Sequence, residues 1–245
     1  MPPLDKSELD LIYSDQFVDI HVDTSIDGQD CLVSFTGIGH NLGGVDVQAP
    51  EFRKETVING PKIFVTDKLR SWGNNLDLVD LGMRISTIAG TRDITTMGNS
   101  MGGFLAILFS SMVGAKNCIA FAPQFSIDPR IVPNEDRWRY YRRKIKAIQY
   151  QDLKYAFDPD CSYWMVFGDG ARERIHSDLF LGIDAPINAY QICDTGHDAA
   201  KILRGQNALY PFIKACLTTG QVTKILSRLD RSFNTLRASI YRENV

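Results

Sequence analysis

The stretch from Ile94 to Gly103, Ile-Thr-Thr-Met-Gly-Asn-Ser-Met-Gly-Gly, constrains the fold more than any other part of the chain. A β-branched run stops at Gly98, Ser100 sits between Gly98 and Gly102, and an apolar, helix-competent segment from Phe104 to Met112 follows at once. The order is strand, sharp turn, helix. A serine on such a turn takes a strained backbone conformation, tolerated only if the residues two before and two after it lack a Cβ that would collide with strand or helix. Gly98 and Gly102 meet that demand. The turn lifts the hydroxyl clear of the sheet edge, and the helix aims its first N–H groups at any negative charge that develops there. A phosphate-loop reading fits less well, because the spacing is not Gly-x-Gly-x-x-Gly and no Gly-Lys-Ser/Thr follows.

On these residues the chain resembles the α/β-hydrolase superfamily, whose Gly-x-Ser-x-Gly nucleophile elbow carries the attacking serine. The order of elements points the same way. Cys31–Gly37, Pro61–Asp67, Cys118–Pro123, Tyr163–Gly168 and Ile187–Cys193 are apolar, strand-like runs, and a helix from about Leu76 to Ala89 buries Leu78, Leu81, Ile85 and Ile88 at helical spacing. Near-continuous apolar strands alternating with helices mark a mostly parallel sheet covered on both faces. Residues from about Leu11 to Val22 alternate only partly and suit an antiparallel pair at the sheet edge.

A chain of 245 residues accommodates one such domain and not two, so a single α/β-hydrolase domain over 1–245 is expected. A net charge of −2 argues against nucleic acid as a partner. The start of the chain carries acids and prolines where an export signal would have a basic and then an apolar run, and no stretch is long enough to cross a bilayer. Five cysteines without paired spacing read as buried thiols of a cytoplasmic protein, not as a zinc site or disulfide scaffold. No cofactor and no metal are expected.

The resemblance implies roles for particular residues. Ser100 is the nucleophile, and His197, in Asp194-Thr195-Gly196-His197-Asp198 after the last apolar strand, is the base. The acid belongs after the Tyr163–Gly168 strand. The usual Gly-x-x-Asp spacing would land on Ala171, so Asp169 in a Gly-Asp-Gly turn is the first choice and Glu173, a turn further on, the alternative. The oxyanion hole takes the N–H of Met101 and one from Thr36-Gly37-Ile38-Gly39-His40, which departs from the His-Gly-Gly type; Ile38 is the first choice, with Thr36 behind it. His40 is a candidate pocket residue. Trp72 and Asn74, at the same end of the sheet, read as structural before substrate-binding, and His176 as a helix-surface residue.

Two segments stand apart. Residues 125–160 are longer than a crossover requires and interleave Arg130, Arg137, Arg139, Arg142 and Arg143 with Trp138, Tyr140 and Tyr141. They read either as a helical insertion before the acid-bearing strand, serving as a lid with Trp138 and Arg139 on substrate, or as a crossover helix with a solvated basic face. As a lid they imply an anionic or sugar-like substrate. In the segment 220–245, Val222, Leu226, Leu229, Phe233, Leu236 and Ile240 form a heptad stripe, which predicts an amphipathic helix docked on its own domain or serving as a homodimer seam.

The function implied is hydrolysis of an ester or related acyl bond, on a small-molecule or glycan substrate, through an acyl-enzyme. An acyltransferase or esterase modifying a polysaccharide, and a catalytically silent binding protein of the same fold, are the alternatives.

Overall fold

A computed structural model describes residues 9–42 and 45–238, with side chains given at all of these except 40–42 and 45–46. The chain opens with β1 (Asp10–Ser14) and β2 (Val18–Asp23), then β3 (Asp30–Phe35), a small ribbon of β4 (His40–Leu42) and β5 (Val45–Val47), and β6 (Lys62–Asp67). From there helices and strands alternate: α1 (Leu78–Ala89), β7 (Asp93–Asn99), α2 (Met101–Met112), β8 (Asn117–Phe121), α3 (Arg139–Arg142), β9 (Ser162–Gly168), α4 (Ala171–Leu181) and β10 (Ile187–Ile192). The chain continues with α5 (Ala199–Gly205), α6 (Leu209–Thr218), α7 (Val222–Leu226) and β11 (Phe233–Arg237).

The main sheet runs β1-β2-β6-β3-β7-β8-β9-β10-β11. Its centre, from β6 to β10, is parallel, and β1, β2 and β11 pair antiparallel at the two edges. Alternating side chains of the central strands feed two cores. Cys31, Val33 and Phe35 of β3 pack with Leu81 and Ile85 of α1, Phe104 and Phe109 of α2 and Phe180 of α4. Leu32, Met97, Ile119 and Trp164 face the other way, onto Leu203 of α5, Phe212 of α6 and Leu226 of α7. Burial on both faces is why these strands read as unbroken apolar runs. The helix expected from about Leu76 begins at α1, where the Asp77 side chain accepts the Asp80 N–H and caps it.

Two expectations are corrected. Residues 125–160 do not form a helical insertion: α3 is a single turn, and the rest is a chain of turns. Asp128 and Glu135 bond the backbone two residues on, with Arg130 N–H at 2.9 Å and Arg137 N–H at 2.7 Å, which offers the chain an alternative to helix. Trp138 then takes a left-handed φ of 61°. The segment is stitched down by Arg142, which donates to the carbonyls of Ile127 and Glu135, and by Asn74, whose Oδ1 accepts the N–H groups of Gln149 and Tyr150. Asn74 and the buried Trp72, which donates to Gln124 Oε1 at 2.8 Å, are structural.

The tail differs too. The heptad stripe over 220–245 ends as a helix at Leu226, and Phe233 and Leu236 lie in β11, antiparallel to β10; Ile240 lies outside the described residues. β10 would otherwise present an open edge of backbone donors and acceptors, and pairing it outweighs a helix whose periodicity spans little more than two heptads. The long helix that would carry a dimer seam is therefore not formed among the described residues.

Candidate active site

Ser100 stands between β7 and α2 with φ 57° and ψ −117°. Its N–H donates to Phe121 O of β8 at 2.8 Å, and its carbonyl accepts the Phe104 N–H at 3.0 Å, so the turn is pinned to sheet and helix alike. The two glycines leave no room for substitution. A Cβ at Gly98 would lie 2.1 Å from Gly102 O, and one at Gly102 would lie 2.2 Å from Phe35 O.

His197, on the loop after β10, brings Nε2 to 2.7 Å from Ser100 Oγ. Its Nδ1 lies 2.9 Å from Glu173 Oε1, in the first turn of α4. A carboxylate only accepts, so Nδ1 carries the ring proton and Nε2 offers its lone pair to the serine hydroxyl. Burial pushes the Glu173 carboxyl upward, but the hydrogen bond and charge of His197 and the guanidinium of Arg137 outweigh it and hold the group below its ordinary range.

Asp169, the first choice for the acid, does not meet the histidine. Its Oδ1 accepts the Thr195 N–H at 3.0 Å and so ties down the loop that presents His197. Chain geometry decides between the two acids. A Cβ at Gly168 would lie 2.0 Å from Gly196 O, so the chain beyond β9 is pressed against the backbone of the histidine loop, and the short Asp169 side chain reaches only that backbone. Glu173 reaches the ring from one turn into α4.

Behind Glu173 lies a charge array that sequence reading did not anticipate. Arg137 Nη1 donates to the same Glu173 Oε1 at 2.6 Å, and Arg137 also grips Glu135 with Nε and Nη2 at 3.0 and 2.5 Å. Glu135 Oε2 in turn accepts from His176 Nε2 at 2.9 Å, while His176 Nδ1 accepts the Phe125 N–H at 3.1 Å. His176 is thus a buried linker and not the helix-surface residue expected. Burial raises the Glu135 carboxyl, but its bonds to His176 and Arg137 prevail and hold it well below the ordinary range. One guanidinium between two carboxylates leaves a single net negative charge on the array behind His197. The only trace of this in the sequence was the density of charge in residues 125–160.

Met101 is the first residue of α2, so its N–H has no carbonyl one turn back within the helix. On the facing loop, the Thr36 N–H is used by Val65 O at 2.9 Å and the Gly37 N–H by Glu51 Oε1 at 3.2 Å. That removes Thr36 and leaves the Ile38 N–H without a partner among the described residues. Arg70 Nε donates to Ile38 O at 2.9 Å and fixes that peptide. Burial pushes the Glu51 carboxyl up to about 7, against the Gly37 bond.

A cleft of about 630 Å³ opens onto Ser100 and His197. Ile38 and Trp138 line it, whereas Arg139 sits on the exposed one-turn helix α3 and does not; the side chain of His40 lies outside the described residues. Sequence reading missed Glu51, Arg53, Lys54, Lys201 and Arg204, which line the cleft from the loop after β5 and from α5. Among the described residues no cluster of His, Cys, Asp or Glu suits a metal ion, and no helix is long and apolar enough to cross a membrane.

A scan against protein-family models and a search of curated proteins found no match for the sequence. Comparison with solved structures did. The capsule O-acetyltransferase of Neisseria meningitidis serogroup A is similar with a TM-score of 0.60 at 14% identity, over 83% of this chain and 92% of that one. Est1E from Butyrivibrio proteoclasticus gives 0.57 at 16%, over 86% and 99%. The chain has the α/β-hydrolase fold. An α/β serine hydrolase homologue from Coxiella burnetii shares that α/β-hydrolase fold with a TM-score of 0.51 at 11% identity, over 85% of this chain and 98% of its own.

Proposed function

We propose that the protein is a serine hydrolase that cleaves an ester or related acyl bond through an acyl-enzyme. The reading is carried by one observation, the unbroken line of hydrogen bonds from Glu173 Oε1 through His197 to Ser100 Oγ at 2.9 and 2.7 Å. His197 takes the hydroxyl proton as Ser100 attacks the carbonyl carbon, and the Met101 and Ile38 N–H groups receive the oxyanion. His197 then gives that proton to the leaving group, and a water activated the same way releases the acid and restores the serine. Glu173 keeps the ring in the required tautomer and stabilises its charged form. A silent binding protein of this fold would be favoured if neither Asp169 nor Glu173 reached His197, and Glu173 does.

The test is labelling by a fluorophosphonate probe together with hydrolysis of p-nitrophenyl acetate. Both are expected in the native protein and absent in Ser100→Ala. Labelling that persists in that variant overturns the assignment.

Transfer of the acyl group to a sugar hydroxyl is a second reading, favoured by the likeness to the meningococcal capsule O-acetyltransferase, of which one structure holds CoA. An added alcohol that captures the acyl group in preference to water decides for it.

A further inference from the structure

The cleft above Ser100 is charged unlike the molecule that contains it. The chain as a whole carries a net charge of −2. Among the described residues the cleft lining instead includes Arg53, Lys54, Lys201 and Arg204, against Glu51 and Asp198. Glu51 is no full counter-charge, because burial raises its carboxyl to about 7 and its Oε1 is occupied by the Gly37 N–H. The cations come from two separate parts of the fold, Arg53 and Lys54 from the loop between β5 and β6 and Lys201 and Arg204 from α5. Lys54, Lys201 and Arg204 make no side-chain hydrogen bond or ion pair among the described residues, whereas Arg130 and Arg137 of residues 125–160 and Arg172 of α4 are each engaged with a carboxylate.

Bringing like charges together around a concavity costs repulsion that folding alone gives no reason to accept. It becomes favourable when a multiply charged anion enters, and cleft walls focus the field on that position. Paired lysines and arginines suit phosphate, as point charges and planar forks respectively. The cations that line the cleft thus come from outside residues 125–160, the basic segment of the sequence, and that segment contributes Trp138 as an aromatic face.

We infer that Lys54, Lys201 and Arg204, with Arg53 beside them, form a subsite for a phosphate-bearing group on the acyl donor or acceptor that reacts at Ser100. This assignment of substrate class rests on the proposed acyl chemistry for its purpose, but not for its measurement. A phosphorylated carrier thiol on the donor side and a sugar phosphate on the acceptor side present the same chemistry to the subsite.

The experiment is calorimetric titration of the full chain with CoA, glucose 6-phosphate and glucose at low and high salt. CoA or glucose 6-phosphate is expected to bind, and glucose not to; binding weakens as salt rises. The double variant Lys201→Gln/Arg204→Gln is expected to weaken phosphate binding by about tenfold or more, as befits loss of charge-assisted hydrogen bonds. Should that variant not fold, Lys54→Gln on the loop between β5 and β6 is read in its place. Tighter binding of CoA assigns the subsite to the donor, and tighter binding of glucose 6-phosphate to the acceptor. If neither phosphate compound binds, or if the variants bind as the native protein does, the subsite is overturned. Fluorophosphonate labelling of Ser100 is scored on the same samples: labelling without phosphate binding overturns the subsite alone, and phosphate binding without labelling overturns the acyl chemistry alone.

Discussion

Glu173 Oε1 accepts from both His197 Nδ1 and Arg137 Nη1, at 2.9 and 2.6 Å, so this carboxylate is held from two sides. Asp169 has a different task, since its Oδ1 accepts the Thr195 N–H and steadies the loop two residues before the histidine. The two carboxylates are therefore separable by substitution. Glu173→Gln is expected to lower kcat for p-nitrophenyl acetate by about 10³- to 10⁴-fold, because an amide no longer enforces the tautomer with a free Nε2. Asp169→Asn retains an acceptor for Thr195 and is expected to cost less than about tenfold, roughly 1.4 kcal/mol of barrier. Equal losses in the two variants would contradict the division of roles. The choice between them was open in the sequence, because spacing after an apolar strand locates an acid only to within a turn of helix. What resolves it is the approach of Gly168 to Gly196 O, a contact between segments far apart in the chain.

At the scale of elements, the elbow was legible and the two long connections were not. Gly98, Ser100 and Gly102 announce the turn by a local steric need, and the structure supplies the reason in numbers: a Cβ at Gly102 would stand 2.2 Å from Phe35 O of β3. Gly102→Ala is expected to force α2 away from β3 and displace Ser100, with loss of fluorophosphonate labelling and a denaturation midpoint lowered by several degrees. Native labelling and stability in that variant would mean that the helix can shift without cost. The tail shows the opposite situation. Its heptad stripe satisfies helix periodicity, yet Phe233 and Leu236 pair with β10, because an exposed sheet edge is a partner that periodicity in one segment does not reveal. Residues 125–160 similarly lose helix to turns closed by Asp128 and Glu135.

Over the whole molecule, the insertion and the site are joined by charge. Arg137, with its side chain 12% exposed, bridges Glu135 and Glu173, which are 0% and 2% exposed. Both carboxyls are held below the ordinary glutamate value of about 4.3. The unfolded chain therefore takes up protons first as pH falls, and the stability these groups contribute is complete above that ordinary value and lost as pH drops through their folded ones. Glu135→Gln is expected to cost about 3–5 kcal/mol at neutral pH by leaving Arg137 under-compensated. In urea unfolding followed from pH 7 to pH 3, the native advantage over Glu135→Gln shrinks below about pH 4. A pH-independent difference would remove the ion-pair account. Glu51 acts in the other direction: its carboxyl is raised to about 7, so the stability from its neutral form is lost as pH rises toward that value, and comparison with a variant that retains Glu51 cancels it.

By itself the sequence determined the alternation of apolar strands and helices, the elbow at Ser100 and the place of His197 after the last parallel strand, because each depends on local sterics or on periodicity within one segment. Tertiary structure alone decided that Glu173 meets the histidine, that Arg137 and Glu135 stand behind it, that β11 closes the sheet, and that Lys54 shares a cleft with Lys201 and Arg204. Each of those is a pairing between distant segments, selected by how the backbones pack and by the burial of charge, and no spacing along the chain encodes it.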